Sequence, residues 1–123
     1  MTVDRLEEFC AAWARADLDS LMDFMSDDCV YRASVGSEPG ETFVGPAAVR
    51  AGFARMLAHD VGKEAQKGRC FVCGDRGVGQ WSYVYFEAGR RIELFGCDLF
   101  EFDGDKIRVK DAFRKTFHAL GGP

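Results

Sequence analysis

The fold of this chain is decided by residues 78–116, VGQWSYVYFEAGRRIELFGCDLFEFDGDKIRVKDAFRKT. Three segments rich in aromatic and β-branched residues run through this stretch, namely 78–87, 91–102 and 106–116. Glycine-containing turns at 88–89 and 103–105 separate them. Tight turns of this kind join neighbouring antiparallel strands. The stretch therefore predicts three consecutive antiparallel strands.

Upstream of these strands, apolar residues recur at helical spacing in three places. The first pattern covers 6–13 and the second covers 18–25, with Asp17 or Asp19 able to cap the second helix. The third begins at Gly45-Pro46, where the missing proline amide costs nothing, and runs to about His59. We therefore expect three helices in the N-terminal half.

Two further β-prone segments, 29–33 and 65–73, complete the predicted sheet. Helices followed by a run of strands, without strict alternation, indicate an α+β fold. Three N-terminal helices packed on one face of a curved antiparallel sheet would form a cone that encloses a pocket. The length of 123 residues fits a single domain covering 1–123.

Composition excludes several classes of protein. The net charge is −4 and the basic residues are scattered, so we expect no nucleic-acid partner. No apolar run is long enough to cross a bilayer and the first residues carry no export signal, which predicts a cytoplasmic protein with no membrane partner. Five cysteines, an odd number, are then expected to be reduced thiols.

Several short motifs point to a known family. They are Ala16-Asp17-Leu18-Asp19, Asp27-Asp28, Val35-Gly36-Ser37-Glu38-Pro39, and Gly96-Cys97-Asp98-Leu99-Phe100-Glu101-Phe102 followed by Gly104 and Lys106-Ile107. In order and spacing they resemble the ketosteroid isomerases of the nuclear transport factor 2-like (NTF2-like) superfamily. That superfamily also includes SnoaL-like polyketide cyclases and limonene epoxide hydrolases. The resemblance covers nearly the whole chain and implies the same conical fold.

The resemblance also implies three functional positions, of which this chain keeps one. Ketosteroid isomerase uses a carboxylate base, a tyrosine and a protonated aspartic acid, as the standard description of that enzyme has it. The position resembling the base holds Ala33, and the position resembling the tyrosine holds Phe9. The third position is Asp98. We therefore expect no efficient steroid Δ-isomerase activity, and we take Asp98 as the first catalytic candidate.

Strand alternation bears on where Asp98 points. Gly96, Asp98, Phe100 and Phe102 share one face, and Cys97, Leu99 and Glu101 share the other. The phenylalanines favour an inward Asp98, whereas the alternative is a carboxylate on the solvent face. Buried without a cationic partner, its charged form would be disfavoured. We then expect a protonated Asp98 that donates a hydrogen bond near neutral pH.

Aromatic residues supply the candidate pocket lining. Trp81, Tyr83 and Tyr85 share one face of their strand, and we assign that face to the pocket rather than to ordinary core packing. The full set of predicted ligand-binding residues is Trp13, Tyr31, Phe53, Trp81, Tyr83, Tyr85 and Phe100. Such a lining suits a small, flat, largely hydrophobic molecule.

Asp111 is the second catalytic candidate. Lys110-Asp111-Ala112-Phe113 resembles the last-strand motif of limonene epoxide hydrolases, which implies a role in activating water. The neighbouring strand, near Gln80 and Ser82, lacks the Arg and Asp partners of that motif. Alternation with Ile107, Val109 and Phe113 favours an inward Asp111, and the alternative is a salt bridge at the end of the strand.

We expect no metal and no cofactor. Cys70-x-x-Cys73 has no second ligand pair, and a strand would point its two thiols to opposite faces. The sequence leaves open an enzyme using Asp98 (an isomerase, cyclase or hydrolase), a non-catalytic ligand-binding module, and a dimerisation module. By similarity to the superfamily we also expect a homodimer through the outer sheet face, with Cys97 and Leu99 as contacts.

Overall fold

The computed structural model describes residues 1–116 and 120. Its ten elements, in chain order, are α1 (Val3–Ala14), α2 (Leu18–Asp23), β1 (Met25–Arg32), β2 (Thr42–Val44), α3 (Pro46–His59), β3 (Glu64–Gln66), β4 (Cys70–Cys73), β5 (Arg76–Glu87), β6 (Arg90–Asp103) and β7 (Lys106–Arg114). The three helices expected from the apolar periodicity are all present.

Local residues account for where each helix begins. The Thr2 side chain accepts a hydrogen bond from the Arg5 amide and caps α1. Asp17, one of the two residues proposed as a cap, accepts from the Ser20 amide at 3.2 Å and begins α2. Pro46 occupies the first turn of α3, where its lack of an N–H leaves no hydrogen bond unmade.

The seven strands form one sheet in the order β2-β1-β7-β6-β5-β3, and β4 also pairs with β5. Pairing is antiparallel throughout, as expected, except between β1 and β7, which run parallel. The sequence pattern did not predict β2. Its three residues are too few for a period of two to be visible.

The predicted strand 65–73 is in fact two strands with a bulge between them. Gln66 pairs with Ser82 and Cys70 pairs with Gly79, so this edge carries one more residue than β5 does over the same span. Gly68 lies inside the bulge, where a Cβ would be 1.7 Å from the Gln80 carbonyl oxygen. Only glycine allows the two backbones to approach this closely.

A second bulge interrupts the pairing of β6 with β7. Phe102 pairs with Ile107 whereas Glu101 pairs with Val109, which leaves Arg108 as the extra residue. An extra residue reverses which side chains face inward from that point on. Before the bulge, Ile107 belongs to the buried core. After the bulge, Ala112 belongs to that core, whereas Val109 pairs with Val30 and is not part of the core cluster.

The core lies between the three helices and the concave face of the sheet. Its largest fully buried side chains are Tyr31, Phe9, Phe53, Phe100, Leu6, Leu21 and Ile107. Among the described residues, no helix has the length and apolarity needed to cross a membrane.

Candidate functional site

A cavity of ≈ 830 Å³ opens beside the core, between α1 and the concave face of the sheet. Helix α1 supplies one wall, β5 and β6 supply the opposite wall, and residues 65–68 also line the cavity. Its larger apolar and aromatic lining side chains are Phe9, Trp13, Tyr31, Met56, Trp81 and Tyr83. A cavity of this size and lining is typical of small-molecule sites.

The predicted lining residues divide into two groups. Trp13, Tyr31, Trp81 and Tyr83 lie on the cavity wall, as does the catalytic candidate Asp98. The other three do not.

Phe53 and Phe100 are buried in the core behind the wall, where each contacts Phe9 edge-on. Tyr85 lies outside the lining, with the Lys63 Nζ 5.3 Å from the centroid of its ring. A period of two predicts a face of a strand, but it does not say how far along the strand the cavity extends.

Asp98 points inward and is buried, as the alternation predicted, but it has a cationic partner. Lys110 Nζ donates to Asp98 Oδ1 at 3.1 Å, and the two side chains are only 4% and 7% exposed. The expectation of a protonated Asp98 assumed that no cation was nearby, and that assumption is wrong. In this pair Lys110 donates the hydrogen bond and the Asp98 carboxyl group accepts it.

Lys110 is itself held between aromatic rings. Its Nζ lies 4.2 Å from the centroid of the Trp13 ring and 5.0 Å from that of the Tyr31 ring. Rings at these distances stabilise a desolvated ammonium group. The sequence did not predict Lys110 as a site residue, because a strand that runs through Ile107 and Val109 without a bulge would point Lys110 outward.

Asp111 is not among the residues that line the cavity, although strand alternation on its own favoured an inward side chain. The bulge at Arg108 turns Lys110, Ala112 and Arg114 inward and Asp111 outward. There Asp111 pairs with Leu99 across the strands, and the Arg32 guanidinium lies 3.8 Å away. This is the alternative of a strand-end salt bridge.

A second buried ion pair lies at the other end of the cavity. Arg114 donates to both carboxylate oxygens of Asp60, at 3.1 and 2.9 Å, and to Ser34 Oγ at 3.2 Å. Burial on its own would raise the pKa of Asp60, but hydrogen bonds from Arg114 and Lys63 outweigh it and hold that pKa below its usual value. Asp60 and Arg114 are 54 positions apart in the chain, so no local sequence pattern indicates this pair.

Two tyrosine residues line this region. Tyr83 Oη accepts from Trp13 Nε1 at 3.1 Å. Tyr31 Oη is buried and has no hydrogen-bond partner among the described residues. Burial, followed by the charge of Asp98, raises the pKa of Tyr31, so the hydroxyl stays protonated and can donate.

The structure places no base at Ala33 and no hydroxyl group at Phe9, the two positions that resemble the functional positions of ketosteroid isomerase. Phe9 lies on the cavity wall and offers only a ring. Ala33 is buried in the core and offers only a methyl group. Within residues 1–116 and 120, no group of three or more His, Cys, Asp or Glu side chains is placed to hold a metal ion.

An α+β cone with a cavity beneath its helices defines the class of NTF2-like, or cystatin-like, folds, and solved structures of that class resemble it. An NTF2-like protein of unknown function from Cytophaga hutchinsonii superposes with a TM-score of 0.73 at 16% identity, covering 94% of this chain and 100% of that one. A cystatin-like protein of unknown function from Xanthomonas campestris gives a TM-score of 0.75 at 17% identity, with 93% and 90% coverage. Bal32a, from a soil-derived mobile gene cassette, gives 0.73 at 18% identity, with 90% and 86% coverage.

The chain belongs to the SnoaL-like domain family, whose profile matches residues 6–120. No protein of curated function matches it significantly.

Proposed function

We propose that the protein binds a small, flat, largely hydrophobic molecule in the cavity beneath α1. The observation that carries this proposal is the aromatic wall formed by Phe9, Trp13, Trp81 and Tyr83 around a space of ≈ 830 Å³. Ligand pockets of about 300–1,000 Å³ with predominantly apolar linings bury most of a small ligand.

The proposed ligand is uncharged. The two buried cations at the cavity already have buried carboxylate partners, Lys110 with Asp98 and Arg114 with Asp60, whereas Arg15 and Lys67 are exposed to solvent. An anionic ligand would compete with one of these carboxylates, and separating a buried pair leaves an uncompensated charge at high cost. A neutral molecule leaves both pairs intact.

The proposed ligand carries an oxygen atom that accepts a hydrogen bond. Tyr31 lines the cavity, and its hydroxyl has no protein partner among the described residues. A buried hydroxyl without a partner costs about 1–3 kcal/mol, which a carbonyl or hydroxyl oxygen of the ligand would recover. Phe43 stacks on the Tyr31 ring, with centroids 5.8 Å apart, and fixes its orientation.

Calorimetric titration with three probes of the same shape tests this proposal. We expect 2-naphthol to bind more tightly than naphthalene, and 2-naphthoate, an anion, to bind most weakly. Tyr83→Ala removes one aromatic contact and should lower the affinity for 2-naphthol up to about tenfold, since such contacts contribute about 0.5–1.5 kcal/mol.

The matched control is Phe86→Ala, because Phe86 is 70% exposed and lies outside the cavity. It should leave the affinity unchanged. Absence of saturable binding by both neutral probes would refute the proposal. Tighter binding of the anion would refute the claim that the ligand is uncharged.

A second candidate function is cofactor-independent acid–base catalysis on the bound molecule, as an isomerase, cyclase or hydrolase that uses Asp98. It is favoured by one observation, a carboxylate on the cavity wall paired with Lys110. An ionised carboxylate can accept a proton, and positioned general bases contribute roughly 10²–10⁴-fold to a rate. Asp98 would then act as a base instead of the hydrogen-bond donor that the family resemblance implies.

Proton exchange tests the catalytic candidate without knowledge of the natural substrate. The flat neutral ketone 2-tetralone would be incubated with the protein in D₂O, and loss of its α-proton signal followed by NMR. We expect exchange above the buffer rate that disappears in Asp98→Asn/Lys110→Met, which removes both charges together. Asp111→Asn, on the outer face, is the control and should exchange normally. Binding of 2-tetralone without enhanced exchange would leave a ligand-binding module.

We also propose that the protein is a homodimer formed through the outer sheet face. Leu99 and Phe113 are 45% and 50% exposed there, and Cys97 pairs with Phe113 across the strands. An exposed apolar patch of this kind is typical of an interface. The cytoplasmic location and the lack of a nucleic-acid partner or cofactor stay predictions from the sequence.

A further inference from the structure

Two cysteines that are 60 residues apart in the chain meet at the cavity. Cys10 lies in the middle of α1 and Cys70 is the first residue of β4, and their Sγ atoms are 3.7 Å apart. Both line the cavity and both are partly buried. Cys73, at the far end of β4, is exposed.

The backbone around the pair explains why the two thiols meet. The bulge between β3 and β4 sets the register in which Cys70 pairs with Gly79. Gly79 has no side chain, and a Cβ at that position would lie 3.6 Å from Cys10 Sγ. The small residue on β5 thus leaves the space in which the thiol of α1 reaches the thiol of β4.

We propose that Cys10 and Cys70 form a reversible dithiol–disulfide site that ties α1 to β4 at the side of the cavity. A disulfide bond is about 2.05 Å long, so the two sulfur atoms, now 3.7 Å apart, must approach each other by about 1.6 Å. They belong to two elements that already pack together, and no third residue has to leave the space between them.

The oxidant is a small-molecule disulfide of the glutathione type. The Cys70 thiolate attacks one of its sulfur atoms, forms a mixed disulfide and releases one small thiolate, which takes up a proton. The Cys10 thiolate then attacks the Cys70 sulfur and releases the second small thiol. Two protein thiols lose two electrons and two protons in total, and one small disulfide is reduced to two thiols.

The surroundings make this a slow site near neutral pH. Burial, followed by the proximity of Cys70, raises the pKa of Cys10, and burial raises the pKa of Cys70. The thiolate is the attacking species, so bridge formation should accelerate as the pH rises from 7 toward 9. A site of this kind stays reduced under a brief exposure to oxidant and closes under a sustained one.

Closure would act on the cavity because α1 carries part of its wall. Phe9 and Trp13 lie close to Cys10 on that helix, and residues 65–68, which precede Cys70, also line the cavity. A covalent bond between α1 and β4 fixes the distance between these two parts of the lining. We therefore expect ligand entry and exit to slow in the oxidised protein.

The test is oxidation of the folded full-length chain with oxidised glutathione at pH 8, followed by peptide mapping under non-reducing conditions. We expect a peptide that links Cys10 to Cys70, and its loss on treatment with dithiothreitol. Cys10→Ser and Cys70→Ser should each abolish that peptide. Cys73→Ser, in the same strand but exposed, is the matched control and should retain it.

Three results would overturn the proposal. They are a glutathione adduct on Cys70 with no cross-link, a bridge between Cys70 and Cys73, and a Cys10–Cys70 bridge that appears only after denaturation. A second measurement does not depend on any ligand: the bridged protein should melt at a higher temperature than its reduced form, and Cys70→Ser should show no such shift. Failure of 2-naphthol to bind either form would count against the proposed function alone.

Discussion

At the scale of single residues, the proposed catalysis depends on the buried pair of Asp98 and Lys110. Lys110→Met leaves Asp98 as an uncompensated buried carboxylate, and we expect it to lower the free energy of unfolding by about 3–5 kcal/mol. Adding Asp98→Leu removes the stranded charge and should recover most of that loss. Urea unfolding of both variants measures the effect.

The control for this pair is Lys115→Met, since Lys115 is exposed and directly follows the last residue of β7. Its stability should stay within about 0.5 kcal/mol of the wild type. If Lys110→Met were equally harmless, Asp98 would have to be neutral or hydrated in the folded protein. Its assignment as a base would then be lost.

Asp60 gives the protein a specific sensitivity to acid. Its pKa is lowered in the folded state against an unfolded value of about 3.9, so it contributes stability that is fully present above that value. This contribution is lost as the pH falls through the lower folded pKa. We expect the unfolding free energy of the wild type to fall on acidification below about pH 4.5, and that of Asp60→Asn to fall less.

Urea titrations between pH 6 and pH 3 measure this difference. Asp75→Asn is the control, because the Asp75 side chain is 82% exposed in a turn. It should follow the wild-type profile. Parallel profiles for the wild type and Asp60→Asn would show that Arg114 and Lys63 do not favour the charged form of Asp60 in solution.

Residues 9 and 33 predict that the protein is a poor steroid Δ-isomerase. Ala33 cannot accept a proton and Phe9 cannot donate a hydrogen bond to an enolate. A general base commonly contributes roughly 10²–10⁴-fold, and an oxyanion donor about 10²–10³-fold. We expect no conversion of a 5-ene-3-ketosteroid above the buffer rate, measured by the absorbance of the conjugated product. Efficient turnover would mean that another group on the wall supplies the base.

At the scale of secondary-structure elements, periodicity predicted the elements well and their register poorly. The three helices, the cap at Asp17 and the strands of the 78–116 stretch follow from local patterns that the structure confirms. Both major differences arise at bulges, the one near Gly68 and the one at Arg108. A bulge is a contact between two strands, so one strand read alone does not reveal it.

The bulge at Arg108 also explains the errors at the candidate site. One extra residue turned Asp111 outward and brought Lys110 next to Asp98. The residue types that carry the site were visible in the sequence, but their neighbours were not. Long-range pairs such as Arg114 with Asp60 depend on the way β7 passes the end of α3, and no local pattern encodes that.

Gly68 tests the importance of the β3–β4 bulge. Gly68→Ala would place a Cβ against the Gln80 carbonyl, so the two backbones must separate. We expect a loss of about 1–3 kcal/mol in the free energy of unfolding, as for other overpacked sites. Gly74→Asn is the control, since its Cβ would meet nothing within 4 Å and asparagine tolerates its positive φ. A Gly68→Ala protein as stable as this control would contradict the close approach.

At the scale of the whole molecule, the two faces of the sheet have separate roles in the proposed function. The concave face carries the core and the cavity, whereas the outer face carries apolar side chains that nothing in the described chain covers. Phe95, Leu99 and Phe113 are each about half exposed on strands β6 and β7. Single exposed hydrophobic residues are common on protein surfaces, but three that lie together indicate an interaction surface. We expect a second copy of this chain to cover it.

The homodimer we propose buries this face against its own copy. A specific dimer usually buries more than about 1,000 Å² in total, and light scattering at micromolar concentration should report twice the mass of 13.7 kDa. Leu99→Glu places a charge beside Asp111 and Val78, the neighbours of Leu99 across the strands, and should shift the protein to a monomer. Val61→Glu is the control, because Val61 is 79% exposed after α3, away from the sheet. A monomeric wild type, or a Leu99→Glu protein that remains dimeric, would show that copies do not associate through this face.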